Sequence, residues 1–196
     1  MKYLIASNNP SKRAELQEIL GGLGIEITTA KELGIAAPDP EENGETFEAN
    51  AFIKAQAFCE AAGMPVIADD SGLCVDALGG RPGVHSARYG GDHDSDGAIN
   101  TLLGELDGVP AEKRTARFVC HVVCLYPDGK RIDAHGVCEG AIAFERQGDG
   151  GFGFDPVFLT ADGRCFGSMS AEEKNAVSHR GNALRQLREK LEGIRA

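Results

Sequence analysis

The chain has 196 residues, 42% hydrophobic and 26% charged, enough for one sizeable domain or two small lobes sharing a core. Twenty Lys and Arg stand against thirty Asp and Glu, a net charge of −10. That balance argues against the broad basic face that nucleic acid requires, yet leaves room for a small anionic ligand held by local cations or a metal. The N-terminal MKYLIASNNPSK has too few apolar residues for a signal-peptide core, and no run of about 18 apolar residues occurs, so a cytoplasmic chain that does not enter a membrane is expected.

Tyr3-Leu4-Ile5-Ala6 reads as a buried strand. Asn9-Pro10 follows as a cap with proline at the first helical position, and Ala14, Leu16, Ile19 and Leu20 form the helix's apolar stripe up to Gly21-Gly22. A short strand over 25–29, a loop over 33–45 and a second helix from Thr46 to Ala62, closed by Gly63, lead to the strand 65–68. A third helix is expected over 95–107. The extended runs TARFVCHVVCLYP and KRIDAHGVCEGAIAF, joined by Asp128-Gly129, predict a hairpin. A glycine-rich loop, GDGGFGFDPVF, precedes one final helix, which opens with a capping box at Ser170–Glu173 and carries Ala176, Val177, Leu184, Leu187 and Leu191 as its core stripe. Strands alternating with helices give an α/β class. The six cysteines form no CxxC pair and no zinc spacing with histidine, and read as buried free thiols.

Ligands in α/β folds sit beyond the carboxyl ends of strands, and two segments here end suggestively. The first strand runs into Ser7-Asn8-Asn9-Pro10-Ser11-Lys12 at a helix N-terminus, which suits either a phosphate or a capped turn with a solvated lysine. The strand 65–68 is read as stopping at Asp69-Asp70, followed by Ser71-Gly72. Adjacent carboxylates resist burial without a cation, so Asp70 with Glu42 could hold Mg²⁺ and a carboxylate there could orient or deprotonate a water; alternatively Asp69 caps a turn and Asp70 is solvated. Lys12, Lys54, Lys174 and Arg180 are the candidate cations near that edge. Ser178, His179, Arg180 and Gly181 interrupt the final helix with polar donors that a helix interior does not need. Phe152, Gly153, Phe154 and Asp155 form a loop that either stacks a base on Phe152 or packs two phenylalanines around a tight turn. Asp92-His93-Asp94-Ser95-Asp96-Gly97 imitates half of an EF-hand, but Leu103 stands where the bidentate glutamate belongs, so an acidic turn capping the third helix is expected.

Five ordered blocks resemble the inosine triphosphate pyrophosphatase family: ASNNPSK (6–12), ENGETFEANAFIKA (42–55), ADDSGLCVDALGGRPGVHSARY (68–89), GGFGFDP (150–156) and EEKNAVSHRGNAL (172–184). The resemblance implies a single nucleoside-triphosphate pyrophosphatase domain over 1–196, an elongated mixed sheet flanked by helices with two lobes around a nucleotide cleft, and a homodimer. It implies Mg²⁺-dependent hydrolysis of ITP, dITP and XTP to the monophosphate and pyrophosphate. Asp70 would be the catalytic carboxylate and a metal ligand, with Glu42 beside the metal. Ser7, Asn8, Asn9, Pro10, Ser11 and Lys12 would hold phosphate, with Lys54 and Ser71 near. Phe152, Gly153, Phe154, Asp155, Lys174, His179 and Arg180 would form the base and ribose pocket. The chain departs from the family pattern at Ala49, at His85 and at Gly167-Ser168. A related pyrophosphatase for modified pyrimidine nucleotides, or a non-catalytic nucleotide sensor, are the competing readings.

Overall fold

Continuous apolar runs build the start of the sheet, and alternating ones its long hairpin. In the computed structural model, which describes residues 1–91 and 94–195 (the backbone alone for Ser11 and Arg195), β1 (Lys2–Ile5) pairs in parallel with β2 (Glu26–Thr28) and with β3 (Val66–Val75). β4 (Thr115–Leu125) and β5 (Arg131–Ile142) follow, and β6 (Phe158–Thr160) pairs antiparallel to β5 with Ala141 opposite Leu159. The order β2-β1-β3-β4-β5-β6 makes one mixed six-stranded sheet flanked by helices. The helices are α1 (Pro10–Gly21), α2 (Phe47–Ala62), α3 (Ser95–Glu105), α4 (Ala171–Val177) and α5 (His179–Arg195). Among the described residues, no helix is long and apolar enough to cross a membrane.

The chain divides into two compact units, one comprising residues 1–70, 120–136 and 180–196, the other residues 71–119 and 137–179. In the first, the period-2 geometry of strands sorts the core by parity. Tyr3, Ile5, Ile67, Val122 and Cys124 pack with Leu16 and Leu20 of α1 and Leu184, Leu187 and Leu191 of α5. Their neighbours Leu4, Ala6, Val66, Ala68 and Val123 pack with Ala51, Ala55 and Phe58 of α2. The second unit has its own core, in which Leu73, Val75, Phe118, Cys138 and Phe158 meet Ile99 and Leu102 of α3.

Local signals behave as their chemistry requires. Thr46 caps α2 by accepting from the Ala49 N–H, and Gly63 ends it in a left-handed conformation that suits glycine. The Ser170–Glu173 capping box forms, and Gly129 (φ 85°) turns the β4–β5 hairpin. All six cysteines are free thiols, five of them buried.

Two expectations are corrected. The strand 65–68 does not stop at the carboxylates: β3 continues to Val75, and it is β1 that ends, at Ile5 opposite Ile67. The last helix is two, because Ser178 adopts an extended conformation (ψ 155°) that closes α4 and lets α5 start at His179. β6 carries no alternating pattern long enough to be seen in the sequence. The acidic turn begins outside the described residues, at Asp92 and His93, but Asp94 does cap α3 by accepting from the Asp96 and Gly97 N–H groups.

Candidate active site

Because β3 runs on past the end of β1, Asp69 and Asp70 are successive residues of one strand, and period 2 sends them to opposite faces. Asp69 shares the parity of Ile67 and meets α1 and α5. Its carboxylate lies 2.8 and 3.0 Å from Lys12 Nζ and 3.3 Å from Arg180 Nε. Arg180 also reaches Glu15 at 3.5 Å. Burial alone would raise the Asp69 carboxyl, but Lys12, Arg180 and Lys54 outweigh it and hold the group well below the usual carboxylate range. Asp69 is therefore the hub of a buried ion-pair network.

Asp70 shares the parity of Ala68 and meets α2. Lys54 Nζ stands between two carboxylates, 2.9 Å from Glu42 Oε2 and 3.7 Å from Asp70 Oδ1. Burial pushes the Asp70 carboxyl up; Lys54 and a hydrogen bond from Asn50 pull it down, while Glu42 and Asp69 push it further up. Lys54 is held protonated because Asp69, Asp70 and Glu42 outweigh its burial. Around this strand segment three cations (Lys12, Lys54, Arg180) face four carboxylates (Glu15, Glu42, Asp69, Asp70). The surplus negative charge and the hard oxygen donors of Glu42 and Asp70 fit a divalent cation such as Mg²⁺.

The Ser7–Lys12 segment joins β1 to the first turn of α1. Ser7 is half-buried and its Oγ accepts the Asn9 N–H at 3.1 Å, while Asn8, Asn9 and Pro10 are exposed. The Ser11 side chain lies outside the described residues. The N–H groups of such a first turn favour an anion. Lys12 departs from the expectation of a phosphate-facing ammonium, since Asp69 holds it.

The second unit carries a cavity of about 230 Å³ lined by Ser71, Gly72, Phe118, Phe152, Gly153, Phe154, Asp155 and His179, among others. His179 stacks on Phe118 with ring centroids 4.7 Å apart and planes 12° from parallel, presenting a flat aromatic wall. Phe152 is 50% exposed, and Lys174 Nζ sits 4.4 Å from its ring centroid. Lys174 is also 2.5 Å from Asp155, whose second role is to accept the Phe152 N–H at 2.7 Å. The glycines here serve the turn: Gly151 is left-handed (φ 79°), and a Cβ on it would lie 2.1 Å from Asp155 Oδ2.

Most of the residues expected at the site thus fall into two groups. Glu42, Lys54 and Asp70 meet in the first unit, while Ser71, Phe152 to Asp155, Lys174 and His179 meet in the second. Arg180, like Lys12, departs from its expected place: it was expected in the base pocket, but it is 4% exposed, pairs with Asp69 and Glu15, and is not among the residues lining the cavity. Asn50 and Phe118 were missed. Asn50 carried a signal, a polar residue on the helix face that otherwise shows Ala51, Ala55 and Phe58 to the core. Phe118 carried none, being one more apolar residue of an alternating strand. A cluster of Glu48, His121 and Asp133 also brings three potential ligand atoms within 4.8 Å of one another. The Arg131 guanidinium fills it, 2.7 Å from Glu48 and 2.5 Å from Asp133, so it is an ion-pair network.

A family model described as the Ham1 family matches residues 3–190. The chain is 44% identical to the dITP/XTP pyrophosphatase of Symbiobacterium thermophilum over 193 residues, covering 98% of this chain and 96% of that one. Among solved structures, the Coxiella burnetii HAM1 protein superposes with a TM-score of 0.91 at 40% identity, covering 98% of this chain and 99% of that one. The Staphylococcus aureus Ham1 protein gives 0.90 at 38% identity, covering 99% and 100%.

Proposed function

The chain belongs to the Ham1 family, and we propose that it hydrolyses the non-standard purine nucleoside triphosphates dITP, ITP and XTP to the monophosphate and pyrophosphate with Mg²⁺. One observation carries the reading. Asp70 and Glu42 face a single lysine on α2, in a chain that matches a dITP/XTP pyrophosphatase over nearly its full length.

In this reading a water attacks the α-phosphorus, the bond from that phosphorus to the α–β bridging oxygen breaks, and pyrophosphate departs. Asp70 orients the water and takes its proton, the part of a general base. Lys54 offers positive charge to the phosphate oxygens from the same point at which it now meets Glu42 and Asp70. The first turn of α1 offers the backbone N–H groups of Ser11 and Lys12 to the phosphates, with Ser7 to Pro10 leading into it. Glu42 and Asp70 would hold Mg²⁺, which supplies charge neutralisation on the phosphate oxygens when bound.

The cavity of the second unit takes the base, with Phe152 and the Phe118–His179 stack as its flat walls. Hypoxanthine and xanthine carry an acceptor at C6 where adenine carries an amino donor. A pocket that offers only donors at that edge leaves adenine unpaired, and mismatches of that kind cost roughly 10⁴–10⁵ in rate.

The test is a product assay. Purified protein with Mg²⁺ receives dITP, XTP, GTP, ATP and dTTP, and products are resolved by ion chromatography. The expected result is dIMP plus pyrophosphate from dITP, with ATP nearly untouched and all turnover lost in EDTA. Release of dIDP and free phosphate overturns the assignment of the scissile bond, turnover of dTTP alone overturns the purine assignment, and tight dITP binding without turnover makes the chain a sensor.

A further inference from the structure

The loop that delivers Glu42 has no strand or helix of its own to fix it, yet Glu42 and Asp70 must keep a defined separation for one cation or one water to meet both. Besides the Lys54–Glu42 ion pair, one buried side chain ties the loop to α2. Asn50 is 2% exposed and stands on α2 one turn before Lys54, so the two side chains share a face. Its Oδ1 accepts the Gly44 N–H at 2.8 Å, which leaves the amide NH₂ group to donate to Asp70.

Gly44 itself is pressed against the first turn of α2. A Cβ there would lie 2.7 Å from the Ala49 Cβ, 2.7 Å from Asn50 Oδ1 and 3.1 Å from the Asn50 backbone nitrogen. The loop therefore has no room to approach more closely, and the amide hydrogen bond stops it from lifting away. A carboxamide satisfies both ends at once: its oxygen accepts from the Gly44 N–H and its NH₂ group donates to a carboxylate.

We propose that Asn50 is a positioning residue, a two-ended clasp that sets the Glu42 loop and the Asp70 carboxylate in register with each other. The inference rests on the reading of Asp70 and Glu42 as the reacting pair. It assigns Asn50 no contact with substrate. Its effect passes through the residues it holds, so losing it lowers turnover and metal affinity rather than nucleotide affinity.

Asn50→Asp keeps the acceptor for Gly44 but sets a carboxylate against Asp70, and Asn50→Leu removes both ends at similar volume. Each variant is checked for folding by circular dichroism. Mn²⁺ binding is then measured by electron paramagnetic resonance without nucleotide, and kcat and KM are measured on dITP. The expected result is a loss of about 10- to 100-fold in kcat and in Mn²⁺ affinity, the size found when a residue supporting metal ligands is removed, with KM changed by less than about threefold. The double variant Asn50→Asp with Asp70→Asn exchanges the two ends of the hydrogen bond; it regains the melting temperature lost in Asn50→Asp and stays inactive. If either single variant fails to fold, Gly44→Ala, which forces the loop off the amide, must show the same kcat and Mn²⁺ losses. Folded variants with kcat and Mn²⁺ affinity within about threefold of the parent overturn the proposal. A parent enzyme that makes no pyrophosphate from dITP overturns the reaction instead, and the Mn²⁺ comparison still decides the role of Asn50.

Discussion

Asp69→Asn and Asp70→Asn change neighbouring residues by the same one-atom-type exchange and should have opposite consequences. Asp69 has a side chain 5% exposed and serves Lys12 at 2.8 Å and Arg180 at 3.3 Å. Removing one partner of a buried ion pair costs about 3–5 kcal/mol, because the remaining charges stay desolvated. Arg180 retains Glu15 at 3.5 Å, which places the loss toward the lower end, near 3 kcal/mol. In a chain of this size that is roughly 6–12 °C of melting temperature. The sign with pH follows from the lowered carboxyl. Asp69 contributes its full stabilisation above its unfolded pKa of about 3.9 and loses it as pH falls through the lower folded value. The gap between parent and variant, measured by urea denaturation, should therefore be constant from pH 5 to 7 and narrow below about pH 4. Asp70 has the reverse sign, since its folded carboxyl is raised and its charged form is a burden once pH climbs past the unfolded value. In metal-free buffer at neutral pH, Asp70→Asn should melt at or above the parent temperature while losing all turnover. A cost below about 1 kcal/mol for Asp69→Asn, within the range of an exposed pair, would refute the buried-hub argument.

Thr46→Ala removes the acceptor for the Ala49 N–H at the start of α2 and should cost about 1 kcal/mol by chemical denaturation. Gly140→Ala would place a Cβ 2.0 Å from the Leu159 carbonyl oxygen in the β5–β6 ladder, and a loss of at least about 1–3 kcal/mol is expected in a thermal melt. Phe152→Ala removes a half-exposed ring, so the melting temperature should hold while KM for dITP rises roughly 5- to 150-fold, the equivalent of about 1–3 kcal/mol of base stacking.

What the sequence made legible was everything that local chemistry decides. The caps at Thr46 and Ser170, the turn at Asp128-Gly129, and the buried strand at Tyr3-Leu4-Ile5-Ala6 each depend on a few neighbouring residues. The Glu42–Lys54–Asp70 group was also foreseeable in part, because adjacent carboxylates resist burial without a cation nearby. What was hidden depends on partners distant in sequence. Arg180 looks like a ligand-binding cation until Asp69, 111 residues away, is found against it. Ser178 looks like an interruption of one helix, and only its extended backbone shows that it separates two.

The pair Asp69-Asp70 shows how one such misreading distorts chemistry. If β3 ended at residue 68, both carboxylates would project from a strand terminus into the same space, and both would compete for one cation. Because the strand runs on to Val75, its pleat gives each carboxylate a different face and a different set of neighbours. One face supplies Lys12 and Arg180, which fix Asp69 as a structural anion. On the other face burial, with Glu42 and Asp69, outweighs the pull of Lys54 and Asn50 and leaves Asp70 more basic than an ordinary carboxylate. The structural ion pair also anchors the chemistry. Lys12 lies in the first turn of α1, and Arg180 lies in the first turn of α5, so Asp69 holds two helix starts to the strand that presents Asp70. Loss of Asp69 should therefore lower kcat as well as stability, whereas loss of Asp70 lowers kcat alone.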